Sequence, residues 1–305
     1  MKNLKKAILK IGVSTGLILF ILSKIDIQNL AVHMKELNFY YAGLAVFLIA
    51  LNWFVGAIRW KLLLIGEEAK GVSLPYLLKL YFIGSFFNNF MPTSVGGDVY
   101  KIYRLGKKIK SNPKAFSATF MERFTGVVVL VLISYFGLVR SLDFWVGLAP
   151  EAYAGLFKIF LFTGFWIAAA AGFLSLKILG GKFELFKKIH ESLWAYKNHK
   201  NVLFGAILSS FVVQLAVIFA QYFVFVALGV KIPVLYALFA FPVINLASFF
   251  IPSLNGIGVQ DALYIYFFAN LGLTSELALS GSLLFHLSRL FVSLFGGVVY
   301  AFDKE

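Results

Sequence analysis

A long apolar stretch that interrupts itself constrains this chain more than any other feature. The run that reaches Phe90 is broken by Pro92 and by the pair Gly96 and Gly97, and basic residues follow from Lys101 onward. Pro and Gly leave backbone polar groups without helical partners, and lipid offers those groups no hydrogen bonds. Such a break is stable at membrane depth only where it packs against protein or lines a wet cavity. At the surface it would simply end a helix.

The same interruption occurs a second time. Matching positions keep their order at offsets of 158, 160 and 166 residues: 71–75 with 229–233, 91–96 with 251–256, and Arg123 with Arg289. One short match carries little weight, but three in register indicate an internal duplication. We therefore predict two related halves, at about 39–139 and 202–302, within a single membrane domain that covers 1–305.

The composition identifies a polytopic membrane protein. Sixty per cent of the residues are hydrophobic and the mean hydropathy is +0.86, values far above those of a soluble domain. The net charge of +14 is explained by basic loops facing anionic lipid headgroups, so no nucleic acid partner is predicted. The absence of cysteine excludes disulfides and thiolate metal sites.

The uncharged runs predict an all-α fold with about six spanning helices: one uncleaved helix ending near 22, and others at about 39–64, 115–139, 153–176, 202–228 and 277–302. The interrupted elements occupy about 74–105 and 234–271. Their apolar parts, such as 77–90 and 262–273, are too short to cross comfortably, which favours re-entrant hairpins. The alternative is eight crossings, with each interrupted element spanning as two short helices.

Loop charges predict the topology. With six crossings, 21 of the 28 Lys and Arg residues fall on one face, in the N-terminus, 59–79, 101–114, 177–200 and the C-terminus. The other face receives four. The positive-inside rule makes the basic face cytoplasmic, with both termini there, in a plasma (inner) membrane. The two interrupted elements then enter from opposite sides, which is an inverted repeat.

The polar motifs resemble a known family. The residues that carry the resemblance are Asn89, Pro92, Gly96, Gly97, Asp98 and Lys101, then Glu122 and Arg123, and then Pro252, Gly256, Gly258 and Asp261. This pattern is similar to that of the flippase-like membrane family, which includes the membrane region of lysylphosphatidylglycerol synthases. Three positions depart from it: Lys101 replaces Arg, Leu254 with Asn255 replaces Pro-Gly, and Asp261 replaces Glu. The chain ends at Glu305, so the resemblance does not imply the family's soluble lysyl-transferring domain.

Two arginines inside apolar helices are the strongest candidate site residues. An Arg at the bilayer centre costs roughly 2.5–3.5 kcal/mol on insertion scales, so it needs a partner. We expect Asp98 to pair with Arg123, and Asp261 with Arg289, as equivalent pairs. These pairs would either serve the function or only brace the fold, and Asp98 could instead cap the helix that follows it.

The remaining polar residues have weaker interpretations. Glu122 points about 100° away from Arg123 on a helix, so the two need not pair. Lys101, Arg104 and the lysines after them would attract an anionic headgroup. His286 is expected to be a structural hydrogen-bonding residue, and Arg59 with Trp53 and Trp60 an interfacial anchor. Four asparagines are expected either to line a polar path or to hydrogen-bond the carbonyl groups that the helix breaks leave without partners: Asn88, Asn89, Asn245 and Asn255.

The sequence favours transport over catalysis. No residues have the spacing of a metal site or a nucleotide-binding loop, and nothing in the sequence favours a Ser-His-Asp triad among its scattered residues, so we predict no catalytic residue, no metal and no cofactor. The predicted function is movement of an anionic or amphipathic lipid, or a lipid-linked intermediate, across the membrane. The alternative is a non-catalytic subunit that recruits a membrane-associated glycosyl- or acyltransferase through 177–200. An intramembrane enzyme ranks last.

Overall fold

The computed structural model describes residues 36–66, 70–89, 96–147, 191–251, 253 and 255–303, with the isolated residues 155, 159, 163 and 164. This part of the chain contains helices and no strand. The helices are α1 Phe39–Leu62, α2 Leu74–Asn88, α3 Gly96–Ile109, α4 Asn112–Arg140, α5 Leu142–Gly147, α6 Lys200–Ala227, α7 Val234–Phe250, α8 Val259–Ala269 and α9 Ser275–Ala301.

Four of these helices are long and apolar enough to cross a membrane. They are α1, α4, α6 and α9, with 24, 29, 28 and 27 residues. At 1.5 Å per residue each exceeds the ~30 Å hydrocarbon thickness of a bilayer. The all-helical polytopic prediction is therefore confirmed. The first predicted helix lies outside the described residues, and so does the one at 153–176 apart from four isolated positions, so the total of six remains a prediction.

The order long, short, short, long occurs twice, first in α1 to α4 (the first quartet) and then in α6 to α9 (the second quartet). Helices α1 and α6 pack against each other, α2 packs on α9, and α7 packs on α4. If each helix is replaced by its equivalent in the other quartet, this pattern is unchanged, because the contact of α2 with α9 becomes the contact of α7 with α4. The quartets are interlocked, since each sends its first short helix onto the last helix of the other, while its second short helix packs on the last helix of its own quartet.

The equivalent helices α1 and α6 run in opposite directions. At one end the Asn38 amide nitrogen donates to the Ala227 carbonyl oxygen over 2.8 Å. In the middle the Asn52 side chain donates to the Val213 carbonyl oxygen, also over 2.8 Å. Residue numbers therefore rise along α1 as they fall along α6. An inverted repeat requires this relation between its equivalent helices.

Each pair of short helices forms a hairpin that returns to the end of the bundle where it began. In the first hairpin, α2 with α3, the Tyr76 hydroxyl donates to the Arg104 carbonyl oxygen over 3.2 Å. In the second, α7 with α8, the Tyr236 hydroxyl donates to the Phe267 carbonyl oxygen. Each bond joins the start of one short helix to the end of the next. The hairpin shape agrees with the sequence prediction, while its place in a membrane remains a prediction.

Several basic segments gather at one end of the bundle, which we call the basic end. Asp303, just beyond α9, binds Lys79 at 2.6 Å and Arg104 at 3.3 Å. The Tyr196 hydroxyl donates to the Leu63 carbonyl oxygen, and burial raises the pKa of Tyr196, which keeps that donor protonated. Residues 61–66, 70–79, 104–114 and 191–200 and the chain's last described residues therefore share one end, as the loop charges predicted, whereas Arg59 and Lys101 lie in the interior.

Two glycines let the quartets approach at backbone distance. A Cβ on Gly296 of α9 would collide with the carbonyl oxygen of Phe82 on α2, and a Cβ on Gly137 of α4 would collide with the backbone of Leu238 on α7. These contacts are counterparts under the exchange of quartets. They press each hairpin onto the long helix that supports it.

Candidate functional site: a charged cavity between the quartets

A cavity of about 270 Å³, which we call the central cavity, lies between the two quartets. Polar side chains from both quartets line it. From the first come Asn52, Arg59, Tyr81, Asn88, Asn89, Asp98, Lys101, Glu122 and Arg123, and from the second Gln214, Asn245, Asn255, Gln260, Arg289 and Ser293. Most of the predicted site residues are thus brought together at one place.

Asp98 and Arg123 form the first charged contact of the cavity. The Arg123 Nε donates to the Asp98 carboxylate over 2.8 Å, which confirms the predicted pair. Helix α3 begins at Gly96 and Gly97, so Asp98 lies in the first turn of the helix and is not its cap residue. The Gly97 amide instead donates to the Asn88 side chain over 2.7 Å. Asp98 is therefore available to bind Arg123.

Glu122 is the most enclosed charge of the cavity, at 1% exposure. Its carboxylate accepts from Arg59 over 3.1 Å, from Lys101 over 3.0 Å and from the Tyr81 hydroxyl over 2.6 Å. A buried carboxylate needs such partners, because desolvation of an unpaired charge costs several kcal/mol. The sequence identified Glu122 and Lys101 but missed Tyr81 altogether.

Arg59 and Trp60 contradict the sequence prediction of an interfacial anchor. Arg59 is 4% exposed and donates to Ser210 of α6 over 2.9 Å as well as to Glu122. The Trp60 indole is fully buried and donates to the Thr119 hydroxyl over 3.1 Å. A charge near the end of an apolar run looks the same whether it meets headgroups or a buried acid. The one signal in the sequence for this contact was that Glu122 had no predicted partner.

Lys101 joins the two carboxylates of the first quartet. Its ammonium lies 3.4 Å from Asp98 and 3.0 Å from Glu122. It also lies over the rings of Trp60 and Tyr81, at 4.6 and 4.2 Å from their centroids. A cation held by two acids and two aromatic faces is fixed in position. Arg104, which was grouped with Lys101 in the sequence, lies at the basic end with Asp303 and does not line the cavity.

In the second quartet the acid Asp261 has partners other than the equivalent arginine. The predicted pair of Asp261 with Arg289 is therefore wrong. Asp261 lies in the first turn of α8, where its carboxylate accepts from the Gly258 amide over 2.7 Å. It also accepts from the Ser282 hydroxyl and lies 3.2 Å from the His286 Nε2. These bonds to its own helix start and to α9 occupy the carboxylate. His286 accordingly makes the structural contact expected of it.

Arg289 donates instead to two neutral amides. Its guanidinium binds the Asn255 side-chain oxygen and, over 3.4 Å, the Gln260 side-chain oxygen. Asn255 in turn donates to the Asn89 side chain over 2.7 Å, and Asn89 donates to the Ser293 hydroxyl over 2.5 Å. The described edges of the two breaks therefore meet, as the sequence predicted. Pro92 and Pro252 lie outside the described residues.

The turn into α8 depends on residues that tolerate left-handed backbone. Asn255, Gly256 and Gly258 have φ values of 50°, 88° and 85°. Gly adopts such angles freely, and Asn is among the few other residues that do so at modest cost. Asn255, which departs from the family pattern, therefore keeps the turn and adds a side chain that binds Arg289.

The other polar side chains near the cavity are satisfied by the protein. Asn245 exchanges hydrogen bonds of 3.1 Å with Gln221 of α6, whose amide also donates to the Tyr264 hydroxyl over 2.7 Å. Gln214 donates to the Gly126 carbonyl oxygen over 3.0 Å. Within the described ranges, no three His, Asp or Glu side chains are grouped so that they could hold a metal ion.

Fold and cavity together define a polytopic helical membrane protein with a buried charged site between two interlocked quartets of helices. The chain matches the family described as the lysylphosphatidylglycerol synthase TM region over residues 7–297, and it belongs to that family. No curated protein and no solved structure matches the chain.

Proposed function

We propose that the protein moves an amphipathic lipid across the membrane. The headgroup would pass through the central cavity while the acyl or polyprenyl chains stay in the bilayer. One observation carries this proposal: charged side chains from both quartets converge on a cavity at the place where the two breaks meet. Ionisable residues between membrane-spanning helices are costly, and they usually mark a substrate path.

The accessibility of Arg123 supports a binding role in addition to a bracing one. The side chain of Arg123 is 40% exposed, whereas that of its partner Asp98 is 5% exposed. Arg123 lines the cavity and its Nε holds the carboxylate, so we infer that its two other guanidinium nitrogens can donate to a ligand. A pair that only braced the fold would have no need of this open side.

The opposite orientation of the quartets supports movement between two sides. Each hairpin begins and ends at its own end of the bundle, and the two hairpins meet at Asn89 and Asn255. If the hairpins are re-entrant, the cavity can be reached from either face by moving one hairpin at a time. Inverted repeats support alternating access in many secondary transporters by this logic.

The basic end would collect the lipid. Arg104 and the lysines of α3 and the loop after it lie there, at Lys107, Lys108 and Lys110. Each basic residue near an anionic leaflet contributes about 1 kcal/mol of attraction. We propose that this end faces the cytoplasm, that both termini lie there, and that the membrane is the plasma (inner) membrane. The partners would be membrane lipids with anionic headgroups, and the protein would carry out no chemistry on them.

The test is lipid translocation by the purified protein alone. Proteoliposomes carrying a fluorescent short-chain lipid report the fraction that reaches the outer leaflet when a membrane-impermeant reductant is added. We expect protein-dependent exchange that Arg123→Gln reduces and that Arg140→Gln, at an exposed position at the end of α4, leaves unchanged. Vesicles with no exchange above the protein-free control would refute transport. A subunit that recruits a transferase through 177–200 would then be the better interpretation.

A further inference from the structure

The charges that line the central cavity do not balance. Among the described residues there, four cations, Arg59, Lys101, Arg123 and Arg289, face two carboxylates, Asp98 and Glu122. The excess is two positive charges. Uncompensated charge away from bulk water is costly, and the cost falls when a counter-charge binds.

Three of the four cations already have acidic partners. Arg59 and Lys101 lie 3.1 and 3.0 Å from Glu122, and Arg123 lies 2.8 Å from Asp98. These contacts form one connected network in the first quartet. A ligand that bound there would have to compete with a carboxylate for each cation.

Arg289 differs from the other three cations. Its hydrogen bonds go to the neutral oxygens of Asn255 and Gln260, and its guanidinium carbon lies 5.4 Å from the Phe285 ring centroid. The nearby acid, Asp261, is occupied by His286, Ser282 and the Gly258 amide. Amide oxygens orient a guanidinium but supply no counter-charge.

We propose that Arg289 is the receptor for the phosphate group of a net-anionic lipid headgroup. This inference rests on the proposed function and names the substrate class of the same site. Guanidinium groups bind phosphate oxygens through paired, charge-assisted hydrogen bonds, and no acid in the described part of the chain supplies such bonds to Arg289. Its neighbours are already fixed, because Asn255 is held by Asn89, and Asn89 by Ser293. A fixed receptor loses little conformational entropy on binding.

The excess of positive charge makes the cavity selective. A phosphodiester monoanion or a phosphomonoester dianion reduces the excess, whereas a zwitterionic headgroup brings its own cation and leaves the excess unchanged. Asp98 and Glu122 cannot serve that second cation without giving up Arg123, Arg59 or Lys101. The cavity should therefore prefer net-anionic lipids to phosphocholine lipids.

Binding can be measured without transport, by titrating the full chain in detergent with soluble short-chain lipids and following its tryptophan fluorescence, since Trp53 lines the cavity. Dihexanoyl phosphatidylglycerol is the anionic probe and dihexanoyl phosphatidylcholine the zwitterionic one. We expect tighter binding of the anionic probe, and we expect Arg289→Gln to weaken it roughly tenfold to hundredfold, the usual effect of removing a charged hydrogen-bond partner. Arg289→Lys, which keeps the charge, should retain part of the preference.

Arg140→Gln is the matched control, because it removes an exposed arginine outside the cavity, and thermal unfolding of each variant checks its fold. Equal binding of the two lipids, or equal effects of Arg289→Gln and Arg140→Gln, would overturn the inference. Inorganic phosphate should compete only at far higher concentration than the anionic lipid, since it lacks acyl chains. Competition at equal concentration would make a soluble anion the ligand and would also overturn it.

The two proposals can fail separately. Selective binding of the anionic lipid without translocation in proteoliposomes would refute transport and support the anion receptor. Translocation that ignores headgroup charge would support transport and overturn the receptor.

Discussion

Asn89 and Asn255 are 166 residues apart in the chain, and a hydrogen bond of 2.7 Å joins their side chains. Asn89 caps the C-terminal end of α2 and Asn255 precedes α8, so the bond connects the two interruptions that the sequence repeats. Through it Arg289 is linked to Ser293 and to the first hairpin. The breaks thus satisfy each other's polar groups.

This contact predicts that a short cross-link will stop the protein from working. The chain has no natural cysteine, so Asn89→Cys with Asn255→Cys gives a single reactive pair. A short thiol-reactive linker should join them in high yield and abolish translocation, because the hairpins can then no longer separate. The control pair, Asn89→Cys with Asn270→Cys at the far end of α8, should give no cross-link. Full activity of the linked protein would rule out movement between the hairpins.

The two quartets predict opposite outcomes for matched double-mutant cycles. Asp98→Asn with Arg123→Gln should show a coupling of about 1–3 kcal/mol in stability, because the residues are in direct contact. Asp261→Asn with Arg289→Gln occupies the equivalent sequence positions without that contact, and the effects should add. Thermal or denaturant unfolding in detergent measures both. Additive losses for the first pair, or coupling in the second, would contradict the observed partners.

Glu122 should be the least replaceable acid of the cavity. Glu122→Gln removes the counter-charge of Arg59 and Lys101 together, and breaking a buried pair from one side costs about 3–5 kcal/mol. Glu191→Gln alters an exposed acid and should stay within about 0.5 kcal/mol of the parent. Unfolding in detergent compares the two. A neutral effect of Glu122→Gln would mean that the network is not buried as described.

Glycine positions test the packing of hairpins on long helices. Gly296→Ala and Gly137→Ala would press a methyl group into rigid backbone and should destabilise by about 1–3 kcal/mol. Gly205→Ala places its Cβ 3.5 Å from the flexible Leu62 side chain. That substitution should be neutral or stabilise by up to about 1 kcal/mol, because Ala is the better helix former. The same direction of change at all three would argue against the close contacts.

Cysteine labelling in intact cells tests which end faces outward. Ser141→Cys and Lys231→Cys should react with an impermeant reagent, whereas Lys70→Cys and Lys110→Cys should be protected. The expectation follows from the basic residues that gather around Asp303 and from the positive-inside rule. Labelling of Lys110→Cys from outside would overturn the prediction that the first hairpin is re-entrant.

The sequence predicted the described helices closely, because length and hydropathy determine which segments can cross a bilayer. The second predicted helix, 39–64, is observed as Phe39–Leu62, and the last, 277–302, as Ser275–Ala301. The pair of Asp98 with Arg123 was also predictable, because an arginine within an apolar helix is costly unless it is paired, and Asp98 was a candidate acid. The other side-chain partners were harder to predict from the sequence.

Asp261 and Arg59 show why side-chain partners are hard to predict from a sequence. Asp261 had several acceptable partners, and the choice among Arg289, His286 and its own helix start depends on side-chain directions that a linear pattern does not contain. Arg59 required knowledge that α1 packs beside α4 and α6, where Glu122 and Ser210 lie. Hydrophobic periodicity describes one helix at a time, whereas the contacts of Arg59 join three helices, α1, α4 and α6.

The attachment of Asp303 to both Lys79 and Arg104 has a mechanical consequence. It ties the end of α9 to the start of α2 and the end of α3, and Gly296 presses the same helix onto Phe82. The first hairpin is therefore held by two long helices, by α9 of the other quartet through α2 and by α4 of its own through α3. The second hairpin is held in the matching way, by α4 through α7 and by α9 through α8. Cutting the chain between the quartets should not yield two independent modules, because each hairpin would lose one of its two supporting helices.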